Sequence, residues 1–164
     1  SMEIRKTTAN DIDAIMDIFA SAKCYMKANG NASQWDDNYP GRDTLDNDIA
    51  NGNSYVFIDN GEVVGTFAFI CGEDETYRVI GNGAWRSDAP YGTVHRLASN
   101  GSVRGLSKAC FDFCTVKVSY LRADTHADNR TMQQLLEAYG FQKCGTIHSF
   151  DGLALVAYDY IVRS

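Results

Sequence analysis

The segment from Thr93 to Ala109 constrains the fold more than any other part of the sequence. Thr93 to Ser99 is predicted to be a strand, and Arg104 to about Lys117 a helix, because apolar residues recur there at helical spacing. Small residues fill the turn between them. A strand that turns directly into a helix points unpaired backbone amides and the positive end of the helix dipole at one spot. That arrangement predicts a phosphate-binding turn.

Other phosphate-binding patterns are absent from the sequence. There is no G-x-x-x-x-G-K-[ST] loop, and Gly81-Asn82-Gly83 lacks the third glycine and the preceding strand of a dinucleotide-binding fingerprint. Nucleotide hydrolysis and nicotinamide binding therefore lose support.

The N-terminal part predicts a short strand from Glu3 to Lys6 and then one helix that packs on the core. Thr8-x-x-Asp11 is a helix-start pattern, so we expect the helix to begin near Asn10 and to end at Asn29-Gly30. One apolar stripe follows it: Ile12, Ile15, Met16, Phe19 and Ala22.

A β-hairpin is predicted after a short helix around Leu45 to Ala50. Tyr55 to Ile58 and Glu62 to Ile70 flank Asp59-Asn60-Gly61, and Asn-Gly tolerates the positive φ that tight turns demand. Glu73 to Tyr91 shows weak periodicity and is interpreted as a variable connection.

The remainder predicts strand, helix, strand, strand. Val118 to Thr125 is the first strand, the following helix ends at Gly140, and 141–147 pairs with 153–162 across Asp151-Gly152. We expect one mixed α/β domain over residues 2–164, because a chain of 164 residues has the size of one ordinary domain. Ser1, which precedes Met2, is interpreted as a remnant of tag removal.

Composition and charge narrow the class of protein. The net charge of −6 argues against nucleic acid as the partner, and the absence of a long apolar stretch predicts a cytoplasmic protein without membrane contact. The five cysteines form no C-x-x-C pair or zinc-ligand pattern, so we expect reduced thiols and no metal.

The chain resembles the GNAT family of N-acetyltransferases, whose coenzyme A loop is written Q/R-x-x-G-x-G/A after a strand. Arg104-Gly105-Leu106-Ser107-Lys108-Ala109 matches at the first and last positions, whereas Ser107 replaces the central glycine. The family's later asparagine and helix ending in Gly-Phe are similar to the segment from Asn129 to Phe141. The order of predicted elements agrees along nearly the whole chain.

This resemblance implies a central, mostly antiparallel twisted sheet, splayed between strands 4 and 5 and flanked by about four helices. It implies acetyl-CoA as the cofactor, and a homodimer is common in the family. The implied cofactor-binding residues are Leu97, Ala98, Ser99, Arg104, Gly105, Leu106, Ser107, Lys108, Ala109, Asn129 and Met132.

The family mechanism implies direct attack of a neutral amine on the thioester, with a backbone donor in the splayed strand stabilising the oxyanion. His95 is the candidate base, because imidazole titrates near neutrality and strand alternation would put Thr93, His95, Leu97 and Ser99 on one side. His126 is an alternative base, and a buried structural role for His95 stays open.

The general acid is not apparent. Many family members use a tyrosine four residues before the Gly-Phe pair, where this chain has Leu136. Tyr139 lies on the same apolar stripe and is interpreted as a core residue. Either water or another hydroxyl then protonates the leaving thiolate, or the protein does not follow the common pattern.

The irregular segment before the second helix is expected to form the acceptor site. Trp35 and Tyr39, with Asp36 and Asp37, could form an aromatic and acidic pocket for an ammonium group. In the alternative, the two aromatic residues anchor the loop and the aspartates are solvated.

Three classes of function follow from these observations. The first is an N-acetyltransferase acting on a small metabolite, a polyamine, an amino acid derivative or a protein N-terminus. The second is a non-catalytic acyl-CoA sensor or scaffold, suggested by Ser107 and Leu136. The third is a structural α/β domain without a cofactor.

Overall fold

The computed structural model of the protein describes residues 2–163, so the interpretation of Ser1 lies outside the described residues. The elements, in chain order, are β1 (Met2–Lys6), α1 (Ile12–Ala28), α2 (Arg42–Ala50), β2 (Ser54–Asp59), β3 (Glu62–Cys71), β4 (Gly92–Ser99), α3 (Leu106–Lys117), β5 (Tyr120–Thr125), α4 (Arg130–Tyr139), β6 (Gln142–His148) and β7 (Ala154–Ile161).

The seven strands form one mixed sheet in the order β1-β2-β3-β4-β5-β7-β6. The pairs β1–β2, β2–β3, β5–β7 and β6–β7 are antiparallel. Strands β4 and β5 run parallel and pair through Gly92 with Leu121 and Thr93 with Arg122, and β4 continues beyond that pairing to Ser99. The predicted fold class, with its mostly antiparallel sheet and four helices, is confirmed.

The described chain divides into two compact units. The first comprises residues 2–69 and 95–107, and the second comprises residues 70–94 and 108–163. The expectation of a single domain over residues 2–164 stays a prediction. No helix within the described residues is both long and apolar enough to cross a membrane.

The core of the first unit forms where α1 packs on the sheet. The buried residues are Ile15, Ile18, Phe19, Trp35, Leu45, Val56, Ile58 and Ala98. At the start of α1 the predicted pattern is confirmed, because the Thr8 amide donates to Asp11 Oδ2 over 2.7 Å within a 3₁₀ turn. The helix also ends where predicted, at Asn29.

The turn between β2 and β3 confirms the hairpin prediction. Asn60 and Gly61 both have positive φ, at 51° and 78°. Two consecutive left-handed residues match the right-handed twist of paired strands, which is why Asn-Gly is favoured there.

The core of the second unit is rich in tyrosine: Tyr77, Tyr91, Tyr120, Ile147 and Ala157. The segment of weak periodicity is packed rather than loose. Gly81 exchanges two backbone hydrogen bonds of 2.8 Å with Thr146, and a Cβ at Gly83 would collide with the Cys144 carbonyl oxygen. The glycine therefore allows the connection to lie directly on β6.

Candidate functional site

The turn between β4 and α3 is exposed and contains two left-handed glycines. Gly101 and Gly105 each have a φ of 80°, a conformation that costs glycine little. The helix begins at Leu106, two residues later than predicted, so Arg104 and Gly105 belong to the turn. A Cβ at either glycine would meet no atom within 4 Å, so the backbone conformation, not lack of space, explains the glycines.

Short polar side chains stabilise the first half of this turn. Asn100 Oδ1 accepts hydrogen bonds from the Ser102 amide at 3.0 Å and from Ser102 Oγ at 2.6 Å. The Asn100 amide donates to the Val64 carbonyl over 3.0 Å, which attaches the turn to β3. The turn is thus held by its own side chains while its surface stays open to solvent.

The beginning of α3 is fixed against β3 by the buried side chain of Leu106. A Cβ at Gly65 would lie 2.8 Å from Leu106 Cδ1 and 3.0 Å from the Ala98 carbonyl oxygen, so only glycine permits this approach. The first amides of a helix have no intrahelical acceptor and attract anions. Arg104 is exposed beside them, and Ser107 is half-buried. The geometry suits a phosphate group.

Strand β4 carries His95, which is half-buried, followed by an irregularity at Arg96. Arg96 has a φ of 56° inside the strand, in the left-handed region that residues with a Cβ rarely adopt. Regular alternation is interrupted there. The placement of Thr93, His95, Leu97 and Ser99 on one side of the strand stays a prediction, because alternation does not extend across a left-handed residue.

The Arg96 side chain forms a forked ion pair with Asp48 of α2. Nε donates to Asp48 Oδ2 over 2.8 Å and Nη2 to Oδ1 over 2.7 Å, and the two side chains are only 12% and 7% exposed. Nη1 donates to the Tyr39 hydroxyl over 3.1 Å. Burial works against the charge of Arg96, but the pairing with Asp48 keeps its pKa raised.

The two aromatic residues predicted for the acceptor site have different surroundings. Trp35 is 6% exposed and packs edge-on against Phe19, which is the geometry of a loop anchor. Tyr39 is 41% exposed. Asp36 Oδ1 accepts from the amides of Asn38 and Tyr39, so this aspartate shapes the turn.

A cavity of about 350 Å³ lies beside the same loop. Its lining residues are Met16, Phe19, Ala20, Lys23, Cys24, Lys27 and Asp37. Asp37 is well exposed and lies 3.6 Å from Lys27 Nζ. Of the two predicted aspartates, Asp37 therefore contributes to a concave surface.

In the second unit, β5 is followed by His126 and by the cap of α4. The Asp128 amide donates to His126 Nδ1 over 3.0 Å. Asn129 Oδ1 accepts from the Met132 amide over 3.0 Å and so caps α4. Asn129 and Met132, both predicted to bind the cofactor, thus meet at the start of one helix.

Leu136 and Tyr139, the two residues near the expected position of the general acid, are both packed against other side chains. Leu136 is 1% exposed and belongs to the core. Tyr139 lies among Phe111, Phe141 and Tyr160, its hydroxyl donates to Asp112 Oδ1 over 2.7 Å, and burial raises its pKa to about 12. These contacts agree with the interpretation of Tyr139 as a packing residue.

The link between Asp48, Arg96 and Tyr39 is absent from the sequence-based predictions. Asp48 and Arg96 are 48 residues apart, and neither belongs to a recognisable pattern. Only the fold brings them together. Among the described residues, no group of three or more His, Cys, Asp or Glu side chains is arranged to hold a metal ion.

Comparison with solved structures defines the class of protein as an acetyltransferase. A GNAT-family acetyltransferase from Streptococcus agalactiae is 34% identical, with a TM-score of 0.89, over 99% of this chain and 96% of that one. A GNAT acetyltransferase from Listeria monocytogenes is 21% identical, with a TM-score of 0.71, over 98% and 95%. A ribosomal-protein-alanine N-acetyltransferase from Brucella melitensis is 22% identical, with a TM-score of 0.59, over 98% and 99%.

The first of these similarities extends over nearly the whole of both chains at an identity that shows common family membership. This chain belongs to the GNAT family of acetyltransferases. The other two similarities show the fold alone. No protein-family model and no curated protein matches the sequence.

Proposed function

We propose that this acetyltransferase takes acetyl from acetyl-CoA and transfers it to a primary amine by direct attack in a ternary complex. The observation that carries the proposal is the exposed turn from Ser99 to Ser107, which leads into the start of α3. The first amides of α3, which have no intrahelical acceptor, and the helix dipole favour a pyrophosphate group. Family membership supplies the acetyltransferase chemistry.

The residues around this turn fit coenzyme A. In the proposed complex, the amides from Gly105 to Ala109 hold the pyrophosphate, and Arg104 and Lys108 add positive charge at its rim. The backbone of Leu97, Ala98 and Ser99 pairs with the pantetheine arm. Bound acetyl-CoA would supply the thioester: the amine nitrogen would form the new C–N bond, the C–S bond would break, and coenzyme A would leave as its thiol.

His95 is the base in this proposal, and the surroundings of His126 support that choice. Because the Asp128 amide donates to His126 Nδ1, the proton of neutral His126 resides on Nε2. Nε2 of His126 is then a donor and cannot accept the amine proton. His95 stays the proposed base, because a neutral imidazole has one ring nitrogen without a proton that can accept one from the amine.

The acceptor is proposed to bind at the loop that carries Tyr39. A small metabolite, a polyamine, an amino acid derivative and a protein N-terminus all remain candidate acceptors. The N-acetyltransferase from Brucella melitensis does not narrow this choice, because its similarity is one of fold. A homodimer and a cytoplasmic location stay predictions.

Acetyl-CoA binding is tested by calorimetry on the parent protein and two variants. Gly105→Glu and Gly105→Gln impose the same strain at a φ of 80° and differ in one charge. We expect Gly105→Glu to weaken binding by about tenfold relative to Gly105→Gln, because its carboxylate repels the pyrophosphate. Equal affinities of the two variants would exclude this turn as the pyrophosphate site.

Catalysis is tested by following the appearance of free thiol with a panel of amines. If free thiol appears only when a particular amine is present, the result supports a transferase. In that case His95→Gln should lower kcat by about a hundredfold or more. Binding of acetyl-CoA without turnover on any amine would instead favour the sensor or scaffold. A parent protein that does not bind acetyl-CoA contradicts both.

A further inference from the structure

Arg96 combines two features that seldom occur together in a strand. Its backbone is left-handed, with a φ of 56°, and its guanidinium is nearly buried against Asp48. The left-handed conformation costs free energy for any residue with a Cβ, so the surrounding structure must hold it. The forked pair with Asp48 does so, because release of either partner leaves a buried charge uncompensated.

The third hydrogen bond of Arg96 extends this pair to the surface. Its Nη1 donates to the Tyr39 hydroxyl over 3.1 Å, while 41% of Tyr39 stays exposed. The phenol is thus held at its hydroxyl, while the residue keeps enough exposed surface to contact a ligand. An aromatic ring that is immobilised before binding loses little conformational entropy when a ligand packs against it.

The loop around Tyr39 is fixed at its backbone as well. Asp36 and Tyr39 exchange backbone hydrogen bonds of 3.1 and 3.3 Å, and Lys23 Nζ donates to the Pro40 carbonyl over 2.9 Å. With the backbone held on both sides of the ring, the remaining freedom of Tyr39 lies in its side chain. Arg96 removes that freedom.

We propose that Arg96 is a positioning residue of the acceptor site, which holds the ring of Tyr39 as one wall of that site. Asp48 orients the guanidinium, the guanidinium orients the phenol, and the ring contacts the body of the amine. The inference rests on the proposed amine acetylation. It assigns acceptor specificity to a side chain of β4 that does not itself touch the substrate.

The test measures kcat, KM for the best amine, and acetyl-CoA affinity in Tyr39→Phe, Arg96→Lys and Arg96→Gly. Phenylalanine keeps the ring and removes the hydroxyl, and lysine keeps the charge and loses the fork. Glycine adopts a φ of 56° without strain, so its effect reports the lost side chain and not the backbone. Arg42→Gln, at an exposed pair with Asp46 on α2, is the control.

We expect KM for the amine to rise by about threefold to tenfold in Tyr39→Phe and Arg96→Lys, and by more in Arg96→Gly. Acetyl-CoA affinity and the Arg42→Gln kinetics should stay within about twofold of the parent. In the double variant Tyr39→Phe with Arg96→Gly, the loss of the hydroxyl should add nothing further, because the two residues act through one contact.

An unchanged KM for the amine in Tyr39→Phe overturns the inference. Because this variant keeps the ring and the ion pair, it still provides the test if Arg96→Gly does not fold. Additive effects in the double variant also overturn it, because Arg96 would then act by another route. A parent protein without turnover on any amine contradicts the proposed function instead, so the two failures are distinguishable.

Discussion

Each of the two units contains an arginine whose side chain is largely shielded from solvent, and they accommodate its charge differently. In the first unit Arg96 is paired with a carboxylate at 2.7 Å. In the second, Arg122 is 7% exposed and lies within 4.1, 4.2 and 5.2 Å of the ring centres of Trp85, Tyr91 and Tyr120. A carboxylate holds a guanidinium in one direction, whereas aromatic faces attract it over a broad area.

Asp159 connects the aromatic site to a second arginine. This carboxylate is fully buried and accepts from Arg86 Nε at 2.6 Å and from the Tyr120 hydroxyl at 2.7 Å. The Tyr120 hydroxyl in turn accepts from Arg122 Nε over 3.2 Å. Burial raises the pKa of Tyr120 to about 12, so it stays protonated and can donate to Asp159.

The comparison teaches that a buried charge can serve orientation or packing. The pair in the first unit orients Tyr39, which is exposed and lies in the proposed acceptor loop. The cluster in the second unit includes the Ser87 carbonyl, which accepts from Arg122 over 2.9 Å, and it holds the long connection before β4 in place. We expect the Arg96–Asp48 pair to affect the kinetics and the cluster around Arg122 to affect the stability of the protein.

The largest effect is expected for Asp159→Asn. The substitution leaves Arg86 without its buried carboxylate and disturbs the Tyr120 hydroxyl, so we expect a loss of about 3–5 kcal/mol in the free energy of unfolding. Urea unfolding measures it. Asp37→Asn, at an exposed aspartate, should change stability by less than about 0.5 kcal/mol. A small change in the free energy of unfolding of Asp159→Asn would show that the cluster does not stabilise the fold.

Asp48→Asn should destabilise the protein by about 2–3 kcal/mol, somewhat less than Asp159→Asn, because Asp159 accepts from the Tyr120 hydroxyl as well as from Arg86. The same variant should raise KM for the amine. We do not expect this effect from Asp159→Asn when the kinetics of the folded fraction of each variant are compared. Urea unfolding and steady-state kinetics on both variants check this. If both variants alter KM equally, the proposed division between orientation and packing is wrong.

Trp85 allows the aromatic contribution to be separated from a hydrogen bond. Its Nε1 donates to the Tyr77 carbonyl over 2.9 Å, and its ring faces Arg122. Trp85→Phe keeps an aromatic face and should cost about 1 kcal/mol, whereas Trp85→Leu removes it and should cost about 2 kcal/mol. Equal unfolding free energies of the two variants would show that the ring face contributes nothing.

The pair formed by the half-exposed Arg5 and the buried Asp11 should give the smallest and most pH-dependent effect. Hydrogen bonding from Arg5 lowers the pKa of Asp11. A lowered folded-state pKa contributes stability that is present above the unfolded value of about 3.9 and is lost as the pH falls through the folded value.

Asp11→Asn should therefore cost about 1 kcal/mol at pH 7 and less below about pH 4. Urea midpoints of parent and variant across this pH range measure the change. A difference that stays constant with pH would mean that the carboxylate charge is not responsible.

Local sequence patterns predicted the elements near their observed ends. Asn60-Gly61 formed the predicted hairpin turn, and Gly140, with a φ of 119°, ends α4 as expected. These signals act within a few residues, where backbone sterics decide the conformation. The start of α3 was predicted two residues too early, because Gly105 adopts a left-handed conformation that precedes the helix.

The phosphate-binding turn could be predicted from the sequence for the same reason, since its amides come from consecutive residues. The interruption of β4 at Arg96 could not be predicted in this way. Nothing in the local sequence marks residue 96 as left-handed, and Asp48, the partner of its side chain, lies on another element. Regular alternation is thus interrupted at the residue whose side chain joins the distant ion pair.

The sequence by itself determined the order of strands and helices, the β4–α3 turn and the resemblance to acetyltransferases, because each depends on short-range periodicity or on neighbouring residues. Only the tertiary structure decided that Trp35 is buried while Tyr39 is exposed, and that Arg96 joins Asp48 to the Tyr39 hydroxyl. Those contacts bring together residues from separate elements, and burial makes their charges and hydrogen bonds strong.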